Sequence, residues 1–225
     1  MQKSQLPGAP RRSIPPGLRG LMPAETSAKT PAKGDSDKTT LKQGAMVLAV
    51  SLAVMWGMEI LDLVLPIDFD QWGIRPRTFG GLFGILLAPI LHGGFGHLLA
   101  NTLPFFILGF LVMLRGGVRQ WTIVTAFTTI VGGLGVWLVA GSNTVTIGAS
   151  GVIFGYFGYL MARAIFERSL GAIIIAGGVG FLYGGLIWGV LPGMPGVSWQ
   201  GHLFGALSGA LWAYLSRPAK KAAAA

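Results

Sequence analysis

Five side chains in this sequence have the chemistry to break an acyl bond at neutral pH if the fold brings them together. They are Ser150, His92, His97, His202 and Asn101. A serine hydroxyl is a weak nucleophile and needs a base within hydrogen-bond reach. Histidine, with an ordinary pKa near 6.5, is the natural base at neutral pH, and His92, His97 and His202 are the only three in the chain. Attack on an amide carbonyl creates an oxyanion, which needs fixed donors in a dry site. His97 and Asn101 lie four residues apart and so share one helix face. Their N–H groups could serve beside the Ser150 backbone N–H. Each residue also has a plainer reading. A serine in a glycine-rich membrane helix usually bonds back to its own helix, and His97 with Asn101 could simply bond across helices. Metal binding by His92 and His97 is disfavoured, because a five-residue spacing does not align two ligands on a helix and no carboxylate lies between them. The absence of cysteine excludes a disulfide framework, a thiolate metal site and a cysteine nucleophile.

Composition says where such residues must sit. Of the 225 residues, 52% are hydrophobic and only 11% charged, against about 25% charged in a soluble domain. Residues 1–44 hold 11 of the charged side chains, leaving 14 for the other 181 residues. That remainder reads as an all-α, polytopic membrane protein. The segment 1–44 is rich in Pro, Ser, Thr, Lys and Arg and is expected to be a disordered basic tail. It has no small-residue cleavage site after the first apolar run, so a signal peptide is not expected. Six apolar stretches follow, near 45–66, 95–114, 119–140, 149–166, 171–191 and 201–216. Each is close to the roughly 20 residues needed to cross a bilayer. The stretch 79–91, broken by Gly80, Gly81, Gly84 and Pro89, is expected to be a structured loop partly in the interface.

Six spans with a cytoplasmic tail put 15 of the 17 Lys and Arg residues inside, leaving only Arg75 and Arg77 outside. Both termini, including 217–225, are therefore expected to be cytoplasmic, in a multi-pass protein of the cell membrane. The same topology brings Ser150 and the three histidines to the outer leaflet, where polar groups are costly and by default functional. The net charge of +9 fits segments facing an anionic inner leaflet; no basic stripe interleaved with aromatics suggests nucleic acid. A transporter would show matching three-helix halves, and a channel rows of pore-lining charge; neither pattern is present.

The stretches carrying Ser150 and His202 both have glycine faces, Gly151, Gly155 and Gly158 on one and Gly201, Gly205 and Gly209 on the other. Such spacings put the glycines on one side of each helix and allow close approach. The sequence His92-Gly-Gly-Phe-Gly-His97-Leu-Leu-Ala-Asn101, then Gly148-Ala-Ser150-Gly151, then His202-Leu-Phe-Gly205 with Gly209, resembles the rhomboid intramembrane serine proteases. The motifs fall in order in the second, fourth and sixth stretches, and the resemblance covers residues 45–216.

The resemblance implies a six-helix protease core with a Ser150–His202 dyad, and no acidic residue near His202 suggests a third member. It implies an oxyanion hole lined by His97, Asn101 and the Ser150 N–H, with His92 bracing the first outer loop. No cofactor or metal is implied, and the expected partners are transmembrane protein substrates within a lipid bilayer. Two positions depart from the family pattern. Phe154 stands where many rhomboids have a tyrosine under the base, keeping the ring face and losing the hydroxyl. The first outer loop has Trp72 and then Arg75-Pro76-Arg77, not a Trp-Arg pair, so that loop's role does not carry over. Glu59 and Asp62 are expected to snorkel or to pair with Arg75 and Arg77. The segment 191–199, rich in Gly and Pro, suits either a mobile lid or a short turn with Trp199 at the interface. A non-catalytic rhomboid-like scaffold is the alternative, disfavoured because a scaffold needs neither Ser150 nor His202.

Overall fold

The computed structural model describes residues 33–217 of the chain. The expected disorder of 1–44 and the 217–225 tail therefore lie mostly outside the described residues; the described part of the first, 33–44, is helical. No β-strand occurs among the described residues. Helix α1 (Lys33–Val64) is followed by α2 (Phe79–Leu87), α3 (Phe95–Leu114) and α4 (Gly117–Phe127). A π-turn over Thr128–Gly132 joins α4 to α5 (Gly133–Val139), and α6 (Ser150–Glu167), α7 (Leu170–Tyr183) and α8 (Trp199–Leu215) complete the chain. A 3₁₀ segment, Gly184–Val190, extends α7.

The six apolar stretches read from the sequence thus become six helical rods, with α4, the π-turn and α5 acting as one. Four of them are long and apolar enough to cross a membrane: Leu41–Val64, Phe95–Leu114, Gly117–Val139 and Leu170–Val190. Helices α6 and α8, 18 and 17 residues long, are not among these four. Helix α8 is the shorter of the two, and α6 carries Arg163 and Glu167 near its far end. The stretch 79–91 is more regular than a loop. Thr78 caps α2 by accepting from the Gly81 N–H at 3.1 Å, and a 3₁₀ turn Ala88–Ile90 ends it. Phe79, Phe83 and Leu86 of this helix are exposed.

Helices α6 and α8 form the centre of the bundle. A Cβ on Gly205 would collide with the Gly151 carbonyl, and one on Gly209 with that of Gly155. Backbone therefore lies on backbone at these crossings, the close approach that small residues permit between membrane helices. Around this pair, Val152, Ile153, Tyr156 and Tyr159 of α6 pack with Leu98, Phe105 and Leu108 of α3 and with Trp121 and Val124 of α4. The buried Tyr156 hydroxyl is satisfied by Thr125 Oγ1 at 2.7 Å. The π-turn brings Gly132 against α8, where an added Cβ would meet the Phe204 carbonyl oxygen at 3.3 Å. At the far end of α6, Glu167 pairs with both Arg115 and Arg163.

The segment between α1 and α3 is stitched to the loop before α6. Ile74 and Thr146 exchange backbone hydrogen bonds of 2.9 and 3.0 Å. The Gly148 N–H donates to the Ala88 carbonyl at 2.8 Å. Arg77, in the left-handed region at φ 58°, donates to the Leu138 carbonyl at 2.8 Å and to Ser142 Oγ at 2.7 Å. Trp137 Nε1 donates back to the Thr78 carbonyl at 2.9 Å. The expected pairing of Glu59 and Asp62 with Arg75 and Arg77 does not form. Arg75 bonds Gln71, Asp62 accepts from the Phe69 N–H at 2.7 Å, and Glu59 is buried.

Candidate active site

A cavity of about 690 Å³ opens beside the start of α6. Its walls include Ser150 and Phe154 of α6, His202 of α8, His97 and Asn101 of α3, and Val197 and Ser198 of the loop before α8. Residues separated by about a hundred positions in the chain thus border one space.

Ser150 is the first residue of α6, so its backbone N–H belongs to the first turn, where no intrahelical acceptor exists. Gly148, two residues earlier, has φ +107°, a conformation open to glycine. A Cβ there would also sit 2.7 Å from His97 Nε2 and Cε1. Glycine at this position therefore lets the His97 ring approach the turn that presents Ser150. Buried His92 fixes the same turn from behind, its Nε2 accepting the Ala149 N–H at 3.3 Å. Burial, with His97 beside it, pushes the pKa of His92 down to about 4, so it is neutral and able to accept. His92 does not line the large cavity; it holds the residue before the serine.

His97 Nδ1 receives a long contact of 3.4 Å from the Gly93 N–H. A neutral ring that accepts at Nδ1 carries its hydrogen on Nε2, the edge facing Gly148. The buried Asn101 uses one hydrogen of its amide on the His97 carbonyl, at 2.8 Å. The same nitrogen carries a second hydrogen, and Asn101 lines the cavity. Asp70, on the loop between α1 and α2 and next to Gly93, has its pKa raised to about 6 by burial and by Asp62, Glu59 and Asp68.

His202 lies on α8, one turn past the capping Ser198, whose Oγ accepts the Gly201 N–H at 3.2 Å. Its imidazole stacks on Phe154, with centroids 4.0 Å apart and planes 7° from parallel. His202 Nδ1 lies 2.9 Å from the carbonyl oxygen of Gly189. No sequence signal marked Gly189, because a backbone carbonyl has no residue-type signature. Of the other residues singled out from the sequence, Gly151, Gly205 and Gly209 do not face the large cavity. They set the α6–α8 distance that carries Ser150 and His202 to it. Among the described residues no group of His, Cys, Asp and Glu is arranged to hold a metal ion.

Comparison with known proteins agrees with this architecture. The Rhomboid domain model matches residues 80–219, more than half of the chain. An uncharacterized protein of Mycobacterium tuberculosis (strain ATCC 25618 / H37Rv) is 38% identical over 224 residues, covering 96% of this chain and 93% of its own. An uncharacterized protein of Mycobacterium leprae (strain TN) is 41% identical over 187 residues, covering 79% and 74%. A Bacillus subtilis (strain 168) protein named "Putative rhomboid protease" is 35% identical over 86 residues, covering 38% and 43%. The chain is an integral membrane protein that belongs to the rhomboid family.

Proposed function

We propose that this chain is an intramembrane serine endopeptidase that cleaves transmembrane segments of other membrane proteins near the outer face. The observation that carries this reading is the convergence of Ser150, His202, His97 and Asn101 on one cavity. In this reaction His202 Nε2 takes the Ser150 Oγ proton as Oγ bonds to the scissile carbonyl carbon. The carbonyl oxygen takes the negative charge and is held by His97 Nε2–H, the free Asn101 amide hydrogen and the Ser150 N–H. His202 then returns the proton to the leaving amine, and water hydrolyses the acyl-enzyme by the same route in reverse. A helical substrate hides its carbonyls in hydrogen bonds, so it must unwind locally first, and helix-weakening residues near the cut should favour it. The reading includes six spans, with α6 and α8 crossing inside the ring of other helices, and both termini in the cytoplasm.

The direct test is labelling of the purified full chain by a fluorophosphonate probe, comparing wild type with Ser150→Ala and His202→Ala. Labelling of wild type alone is the expected result. Equal labelling of all three would sink the dyad.

A further inference from the structure

A dyad base has no carboxylate to choose its tautomer, yet only a ring with a bare Nε2 can take the serine proton. The described carboxylates do not fill this role. Glu59, Asp62, Asp68, Asp70 and Glu167 are all absent from the walls of the cavity that His202 lines. Stacking on Phe154 does not fill it either. A parallel ring at 4.0 Å holds the plane of the imidazole, but a half-turn about the Cβ–Cγ bond leaves the stack intact and exchanges the ring edges.

The remaining contact is the Gly189 carbonyl, 2.9 Å from His202 Nδ1. A carbonyl oxygen can only accept, so Nδ1 must bear the hydrogen, and a neutral ring then has its lone pair on Nε2. Glycine is required at this point, since a Cβ would stand 2.9 Å from both His202 Nδ1 and Phe154 Cζ. The carbonyl belongs to the 3₁₀ segment Gly184–Val190, which ends the apolar stretch Leu170–Val190 and places Leu186 in the wall of the same cavity.

We propose that the backbone carbonyl of Gly189 is the positioning group for His202, fixing the tautomer with hydrogen on Nδ1 where a triad would use a carboxylate. The base is then ready while His202 Nδ1 keeps this bond. This rests on the dyad reading of Ser150 and His202.

The test is nitrogen-15 NMR of the full chain labelled at histidine, in bicelles, at alkaline pH where the ring is neutral. Each ring nitrogen reports by its shift whether it bears hydrogen. The expected result for His202 is a protonated Nδ1 and a bare Nε2, and the reverse tautomer would overturn the proposal. Phe154→Leu should keep that tautomer, since the carbonyl remains; its reversal there would show that stacking, not Gly189, decides. Gly189→Ala should mix the tautomers and slow fluorophosphonate labelling about tenfold or more. An unmixed tautomer and an unchanged rate in this variant would overturn the proposal; if the variant fails to fold, the wild-type tautomer alone decides. Failure of the parent reading is distinguishable. Wild type that does not label removes the dyad whatever the tautomer, whereas labelling with hydrogen on Nε2 removes only the role of Gly189.

Discussion

The imidazole of His202 lies flat on the ring of Phe154, 4.0 Å between centroids and 7° from parallel. The two residues come from α8 and α6, whose glycine-on-carbonyl crossings at Gly205 and Gly209 set the ring-to-ring distance. Loss of the tyrosine hydroxyl that many rhomboids carry here does not disturb the stack, because the ring face makes the contact. Replacement by an aliphatic residue removes it. A stacked pair is worth about 0.5–1.5 kcal/mol beyond its buried area. Phe154→Leu should therefore slow fluorophosphonate labelling roughly two- to tenfold, without abolishing it, as measured by labelling time courses.

The α6–α8 crossing supports a stability prediction. Gly209→Ala places a methyl group on the Gly155 carbonyl, which belongs to backbone and cannot swing aside. Overpacking of this kind costs about 1–3 kcal/mol. The expected outcome is a lower thermal midpoint for Gly209→Ala. Gly57→Ala, in α1 with nothing within 4 Å of the new methyl, should leave the midpoint unchanged or raise it.

Asn101 lines the cavity and spends one amide hydrogen on the His97 carbonyl, with a second, free hydrogen on the same nitrogen. If that free hydrogen donates to the oxyanion, Asn101→Ala should lower kcat about a hundredfold with little change in KM. Steady-state cleavage of a transmembrane substrate in detergent measures both constants. An unchanged kcat would leave Asn101 with a packing role only.

His92 couples the serine turn to acid. Its pKa falls from an ordinary 6.5 to about 4 in the folded chain, so the unfolded chain binds more protons across that interval. Linkage then requires the stability supplied by His92 to be complete above pH 6.5 and to decline as pH falls toward about 4. Thermal midpoints measured across this range should drop more steeply for wild type than for His92→Asn, whose side chain does not titrate. Equal slopes would remove His92 as the acid-sensitive group.

Orientation is open to a fusion test. A reporter joined after Ala225 should read as cytoplasmic if six rods cross the bilayer. A reading from the outer side would overturn six spans with both termini in the cytoplasm.

Charge scarcity and residue spacing made much of this protein legible from its sequence. Fourteen charged residues in 181 announce a membrane chain, and the three motifs around His97, Ser150 and His202 announce a rhomboid. Long apolar stretches marked all six rods to within a few residues, except at the start of α1, because a helix in a membrane bundle meets lipid or apolar neighbours along most of its length. The 79–91 stretch escaped, since Gly80, Gly81 and Gly84 hide a helix that Thr78 caps and its neighbours hold. Of the two roles expected for Glu59 and Asp62, pairing with Arg75 and Arg77 is not realised, because sequence proximity does not fix which side chains meet.

What only the tertiary structure decided are contacts made by backbone atoms. Ala149 N–H on His92, the close approach of Gly148 to His97, and Gly189 carbonyl on His202 carry no residue-type signal. Every residue offers the same N–H and C=O, so their use depends on where the chain passes and not on which residue it contains. The sequence by itself determined which chemical groups were available. The folded backbone decided how they are aimed.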